Sequence, residues 1–263
     1  MSTMLADSSV ITWRNLITIK RTPQLLVFAT IQPIIFVLLF RYVFGGAIPV
    51  PGNTYTDYLM PGIFAQTVAF GAITTGVGLA EDLTQGLIER FRSLPMARSA
   101  VLVGRTTADL VRNMFVQSLM LIVGFAVGWR VHQGAAKLLL ALVLLLLLGF
   151  ALSWIFATLG LVTANAETTQ AAAFPIMGPL VFASNAFVPV ETMPGWLQGW
   201  ATYQPLSATI SAVRKLTLTP EGAEAIGLTR STWWYVGFAV GWVVLIVAVF
   251  APIAVRRYRR STA

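Results

Sequence analysis

The residues best equipped to do work in this chain crowd into one polar stretch, EDLTQGLIERFRSLPMARSAVLVGR from Glu81 to Arg105, set between two long apolar runs. Leu83, Leu87, Phe91 and Leu94 recur at helical spacing along one face, while Glu81, Asp82, Glu89, Arg90 and Arg92 lie elsewhere around the axis. One side of such a helix packs and the other meets water or a partner. Pro95 ends it, because Leu94 before a proline is pushed out of the helical region. The chemistry is that of mechanical contact, with charged and apolar groups presented together for a soluble partner to grip. Further on, Asp109 and Arg112 stand three apart and able to pair. They read either as an ion pair anchoring a helix end or as a gate at the cytoplasmic mouth of a path.

Covalent and metal chemistry find little to work with. The chain has no cysteine and a single histidine, His132, which removes disulfides, thiolate ligands and cysteine nucleophiles and argues against a histidine metal cluster or dyad. Ser118, Ser153 and Ser184 read as helix-packing hydroxyls, and the apolar runs hold no paired acids. An intramembrane enzyme therefore lacks a nucleophile with its base. No G-x-x-x-x-G-K-S/T phosphate loop occurs either, so any nucleotide has to be bound by another polypeptide.

These residues are held by a chain that belongs in a bilayer. Of its 263 residues 57% are hydrophobic and only 11% charged, with a mean hydropathy of +0.76. The net charge of +8 is not gathered on a soluble face, which excludes a nucleic-acid partner and points to positive-inside topology. A hydrocarbon core about 30 Å thick takes roughly 20 helical residues to cross. Six stretches meet that length, near Leu25 to Phe44, Tyr58 to Ala80, Thr107 to Trp129, Leu138 to Thr163, Thr169 to Val188 and Trp233 to Val255. Arg14, Lys20 and Arg21 precede the first, Arg90, Arg92, Arg98 and Arg105 fall between the second and third, and Arg256, Arg257, Arg259 and Arg260 follow the last. Both termini and the Glu81 to Arg105 loop are thus expected in the cytoplasm, against a smaller contrary signal from Arg130, Lys137, Arg214, Lys215 and Arg230.

Two segments flank this core. Val10, Trp13, Leu16, Ile17 and Ile19 share a broad helical face, which suits either a helix lying in the cytoplasmic membrane surface or a basic tail that enforces topology. From Pro189 to Thr232 the chain is apolar and aromatic but broken at Pro194 and Pro205 into pieces too short to cross. It reads as two half-helices dipping into the outer leaflet, or as an interfacial loop held by Trp196 and Trp200. Phe64, Gln66 and Phe70 on the second span, with Phe174, Phe182, Asn185 and Phe187 on the fifth, are candidates for a substrate path suited to an amphipathic or lipid-like molecule. The same phenylalanines also suit lipid-facing or packed positions. Gly124 with Gly128, and Gly237 with Gly241, form GxxxG steps that serve either a dimer or internal packing.

Together these parts resemble the membrane subunit of ABC-2 type exporters, in particular the daunorubicin-resistance permease group. The resemblance covers essentially the whole chain, and its most specific pieces are DYLMPGIFAQTVAF from Asp57, GLIERFRSLPMARSAVLVGR from Gly86 and NAFVPVETMPGWLQ from Asn185. It implies an all-α integral membrane fold: six transmembrane helices, an N-terminal interfacial helix (residues 1–23), a cytoplasmic coupling helix (81–98, of which Gly86 to Arg98 meets the ATPase) and an external re-entrant region (189–232, with Pro194 to Thr219 its helical hairpin) before the last span and basic tail (233–263). Residues 1–263 would form a single transmembrane domain. Leu87, Glu89, Arg90, Phe91 and Arg92 would be received by a separate ABC ATPase, which would carry the ATP and Mg, with no cofactor on this chain. A second permease copy or a related permease, membrane lipid and a place in the bacterial plasma membrane are implied as well. The competing expectation is an ion-coupled multidrug antiporter, for which Asp109 would be the titrating group.

Overall fold

The computed structural model describes residues 12, 13, 17, 23–45, 47–85 and 98–261, and these form a helical protein. In chain order come α1 (Pro23–Leu39) running into a π-helical turn (Phe40–Phe44), then α2 (Tyr55–Thr84), α3 (Arg98–Ala126), α4 (Ala135–Gly160) and α5 (Ala166–Phe182). A short 3-10 turn (Val190–Thr192) leads to α6 (Gly195–Tyr203), α7 (Pro205–Thr217), α8 (Pro220–Ala225) and α9 (Thr232–Ser261).

Among the described residues four helices are long and apolar enough to cross a membrane, over Tyr55–Thr84, Val103–Ala126, Ala135–Gly160 and Thr232–Tyr258. The first expected span, Leu25 to Phe44, is covered by α1 and its π-helical turn, of which 17 residues are α-helical, and α5 is a 17-residue α-helix. The fifth was expected to run to Val188 and instead leaves the helix after Phe182. Pro175 and Pro179 already remove two donors from its ladder. Beyond Phe182 the chain turns to pack on α7, with the Ser184 hydroxyl donating to the Val181 carbonyl at 2.5 Å.

At the centre stands α2, buried at every position from Tyr55 to Ala69 because it is apolar on all sides and surrounded by α1, α3, α4, α5 and α7. Thr54 starts it, accepting from the Asp57 amide at 3.1 Å and donating to the Asp57 carboxylate at 2.8 Å. Against α4 the contact is backbone on backbone. A Cβ on Gly76 would fall 2.3 Å from the Phe156 carbonyl oxygen, and one on Gly160 would fall 2.2 Å from the Gly76 oxygen. Of the glycines expected to allow close approach, Gly124 is filled within the chain by Met60, Trp129 and Phe64, whereas Gly237 and Gly241 have open space beside them.

All thirteen residues of α7 are buried. Its Arg214, only 1% exposed, ties three pieces of backbone together. The guanidinium donates from Nε and Nη2 to the Tyr58 carbonyl (3.0 and 2.8 Å), and from Nη2 to Asn185 (2.8 Å) and Ala186 (3.3 Å). It also lies 3.4 Å from the Tyr58 ring centroid. Nearby, the His132 amide donates to the Thr217 carbonyl at 2.9 Å and the Asn53 side chain to Gly222 at 2.7 Å, so residues 47–54, 127–134 and 183–231 close one end of the bundle. The opposite end is basic, with Arg105 paired to Asp82 and Arg256 and Arg257 exposed on α9.

At that basic end the coupling helix was expected to open at Glu81. Glu81 to Thr84 instead form the last turn of α2, capped by the Gln85 amide on the Glu81 carbonyl at 2.9 Å. No proline or glycine stands between Gly78 and Gly86, so the helix carries straight on through them. Leu87, Glu89, Arg90, Phe91 and Arg92 lie outside the described residues, as does most of Val10 to Arg21; of the latter, the Thr12 hydroxyl donates to the Gly104 carbonyl at 3.0 Å.

Candidate functional site: a polar groove between α1, α2, α3 and α5

In the basic half of the bundle a cavity of about 490 Å³ opens between α1, α2, α3 and α5. Two glycines seven apart on α2 make room for its polar wall. A Cβ on Gly78 would fall 1.5 Å from Arg105 Nη2, and one on Gly71 would fall 2.5 Å from Asn113 Oδ1. Arg105, Asp109, Arg112 and Asn113 recur on α3 at intervals that share one helical face, and that face is laid over the two glycines.

Arg105, Asp109 and Arg112 are partly buried and each has a partner, whereas Glu81 at the rim is exposed. Arg112 Nη2 donates to the Gly71 carbonyl at 2.7 Å and lies 3.6 Å from Asp109, whose other oxygen accepts from the Thr75 hydroxyl at 2.5 Å. Arg105 is paired with Asp82. Partly desolvated ions persist only with such geometry. The lining ions are two acids, Glu81 and Asp109, and two bases, Arg105 and Arg112, so their charges sum to zero.

Between the ions the wall is amide and apolar. Gln32, Gln66 and Gln170 line it, and Gln66 Oε1 is buried with no hydrogen-bond partner among the described residues. Phe70, Ile73, Val77 and Phe174 supply the rest. A space of this size with apolar walls and a few fixed polar groups suits a drug-sized amphipathic molecule better than a small ion.

The site sorts the residues singled out from the sequence. Gln66, Phe70 and Phe174 come together here with the expected gate pair Asp109 and Arg112. Phe182 and Phe187 do not. They stack with α1 towards the closed end, Phe187 lying 4.5 Å from Phe40, 6.1 Å from Phe36 and 5.9 Å from Phe182 between ring centroids. Phe64 turns away from the groove, buried with its ring 5.1 Å from that of Trp129 in an edge contact. Asn185 is buried beside α7, its Nδ2 donating to the Ser211 hydroxyl at 2.9 Å. The alternation of phenylalanines along one helix cannot show which of them meets a cavity and which meets Trp129. From the sequence Arg105 reads only as a base that sets topology, and the glycines beneath the ions, Gly71 and Gly78, were not singled out.

Fold and groove define a multi-pass helical membrane protein with a polar, amphiphile-sized cavity at its basic end. Comparison with known proteins places it more narrowly. The profile of the family described as ABC-2 type transporter matches residues 8–218. The chain is 34% identical over 251 residues to the daunorubicin resistance ABC transporter permease protein DrrB1 of Streptomyces coeruleorubidus, covering 95% of this chain and 85% of the relative. It is 27% identical to the probable doxorubicin resistance ABC transporter permease protein DrrC of Mycobacterium tuberculosis, covering 89% and 82% of the two chains. With the putative transport permease ycf38 of Cyanophora paradoxa it shares 26% identity over 79% of this chain and 72% of the relative. The chain belongs to the ABC-2 type transporter family.

Proposed function

We propose that this chain is the membrane-spanning permease subunit of an ATP-driven exporter, and that it moves a hydrophobic or amphipathic molecule outward from the groove between α1, α2, α3 and α5. The groove carries the proposal: about 490 Å³ of apolar wall, amides and paired ions at the basic end. That end is the cytoplasmic one on the positive-inside rule. The substrate class is a drug-like compound or a complex lipid, and two relatives named for daunorubicin and doxorubicin resistance favour the first.

ATP and Mg belong to a separate ATPase subunit, which grips the segment between α2 and α3 through Leu87, Glu89, Arg90, Phe91 and Arg92. A second permease, identical or related, lies across α1 and α5. Both helices flank the groove and expose apolar side chains, among them Ile31, Ile35 and Leu38 on α1 and Phe174, Ile176 and Phe182 on α5. On this reading the spans number six, α1 with its π-helical turn and α5 crossing where the bilayer is met by irregular ends, and α6 with α7 forms the external re-entrant hairpin. Asp109, already engaged by Thr75 and Arg112, serves the groove wall rather than an ion gradient.

The test is reconstitution into vesicles with the ATP-binding subunit. Replacing Glu89 and Arg90 together by Ala is expected to abolish ATP-dependent transport while insertion and copy number stay unchanged. Full transport by an assembled double variant contradicts the coupling role.

A further inference from the structure

A second cavity, of about 310 Å³, lies at the closed end between α7, α9 and the connections around Pro189 and Thr229. Its floor is Arg214. The guanidinium has five N–H donors, and its Nε and Nη2 are occupied by the carbonyls of Tyr58, Asn185 and Ala186. Nη1 makes no hydrogen bond to the described residues, and no carboxylate among them lies within 4.0 Å of the group. A buried cation held by carbonyls and the Tyr58 ring, with no carboxylate in contact, is costly, and a counter-anion offsets that cost.

The wall supplies what such an anion would meet. Arg230 lines the cavity as a second guanidinium, stacked 4.2 Å from the Trp234 ring centroid. Two acceptors stand with them: the Glu191 carboxylate and Asn185 Oδ1, which is buried without a hydrogen-bond partner among the described residues. Two forked donors beside two acceptors match a phosphate that carries an ammonium or hydroxyl substituent. The surroundings say where such a group comes from. Trp196 (83% exposed), Trp233 (72% exposed), Trp200 and Tyr203 ring this end, at the level where aromatic side chains sit among lipid headgroups.

We propose that this cavity binds the phosphate-bearing headgroup of a phospholipid from the adjoining leaflet, with Arg214 and Arg230 on the phosphate and Glu191 and Asn185 on its donor substituent. The bound lipid holds α7 and α9 together and is separate from the substrate in the groove, so the site stands whether or not the export reading does.

The experiment needs no ATP and no partner. The full chain, purified from membranes in a phosphate-free maltoside detergent, is melted against rising concentrations of dihexanoyl phosphatidylethanolamine, dihexanoylglycerol and inorganic phosphate. A saturable rise in Tm with the phospholipid is expected, its half-saturation weakened about tenfold or more in Arg230→Gln, since a charge-assisted contact of this kind is lost. Arg230 is exposed at the cavity rim, so this variant folds even if Arg214→Gln does not. An equal rise with dihexanoylglycerol, or the same half-saturation in Arg230→Gln, overturns the phosphate site. Inorganic phosphate acting alone at the same concentrations overturns the lipid as its source.

Discussion

Gly76 and Gly78 stand two residues apart on α2 and answer different demands. A methyl on Gly76 meets a carbonyl oxygen of α4 at 2.3 Å, and backbone cannot swing aside. A methyl on Gly78 meets the tip of Arg105, which can. Gly76→Ala is therefore expected to cost about 1–3 kcal/mol through overpacking, while Gly78→Ala costs less and instead displaces Arg105 from Asp82. Melting of the purified variants separates the two, and a Gly78→Ala protein less stable than Gly76→Ala refutes this account of the α2–α4 contact. The same pair marks the limit of what the sequence discloses. Asp109 and Arg112 were recognisable because their spacing is local. The glycines beneath the ions belong to another helix, and nothing in their own stretch says which neighbour presses on them.

Helices of uniform apolarity were legible from composition alone, and α2, α3, α4 and α9 lie where hydropathy puts them to within a few residues, except that α3 begins at Arg98. What hydropathy could not give was the early end of α5, where the Leu180 carbonyl is taken by the Gln204 side chain and the Val181 carbonyl by the Ser184 hydroxyl, and the chain that follows is held at Asn185 and Ala186 by Arg214 of α7. Because α7 holds that chain through a planar fork, Arg214→Lys keeps the charge but loses the geometry. Its melting temperature should fall, since hydrogen bonds from a charged donor contribute about 1.5–3 kcal/mol each; an unchanged Tm removes Arg214 from its place as the clamp. The proline-broken region reads as two half-helices dipping into the outer leaflet or as an interfacial loop, and in the structure all of α7 is buried by protein. Cysteines at Ala208 and Ala212, both buried against neighbouring helices, are expected to resist maleimide in detergent as well as in membranes, whereas one at the exposed Glu221 labels in both. Labelling of Ala212→Cys on simple transfer to detergent contradicts the packing of α7.

On the proposed function the whole molecule has one division of labour: the permease offers a path and another subunit supplies the energy. A chain with no phosphate loop is expected to hydrolyse no ATP when purified alone and to support hydrolysis only with its ATP-binding partner, which a phosphate-release assay checks. The central claim, that substrate passes through the groove of α1, α2, α3 and α5, is tested most directly with a single cysteine at Gln170, an exposed residue on its wall in a chain free of native cysteine. Vesicles carrying Gln170→Cys and the ATP-binding subunit are assayed for ATP-dependent movement of daunorubicin before and after a bulky maleimide is added from the ATP side. The account predicts transport close to that of the unmodified protein before labelling and a loss of about tenfold or more after it, with the cysteine-free protein unaffected. Undiminished transport by the fully labelled protein, or transport driven by a proton gradient without ATP, would contradict it.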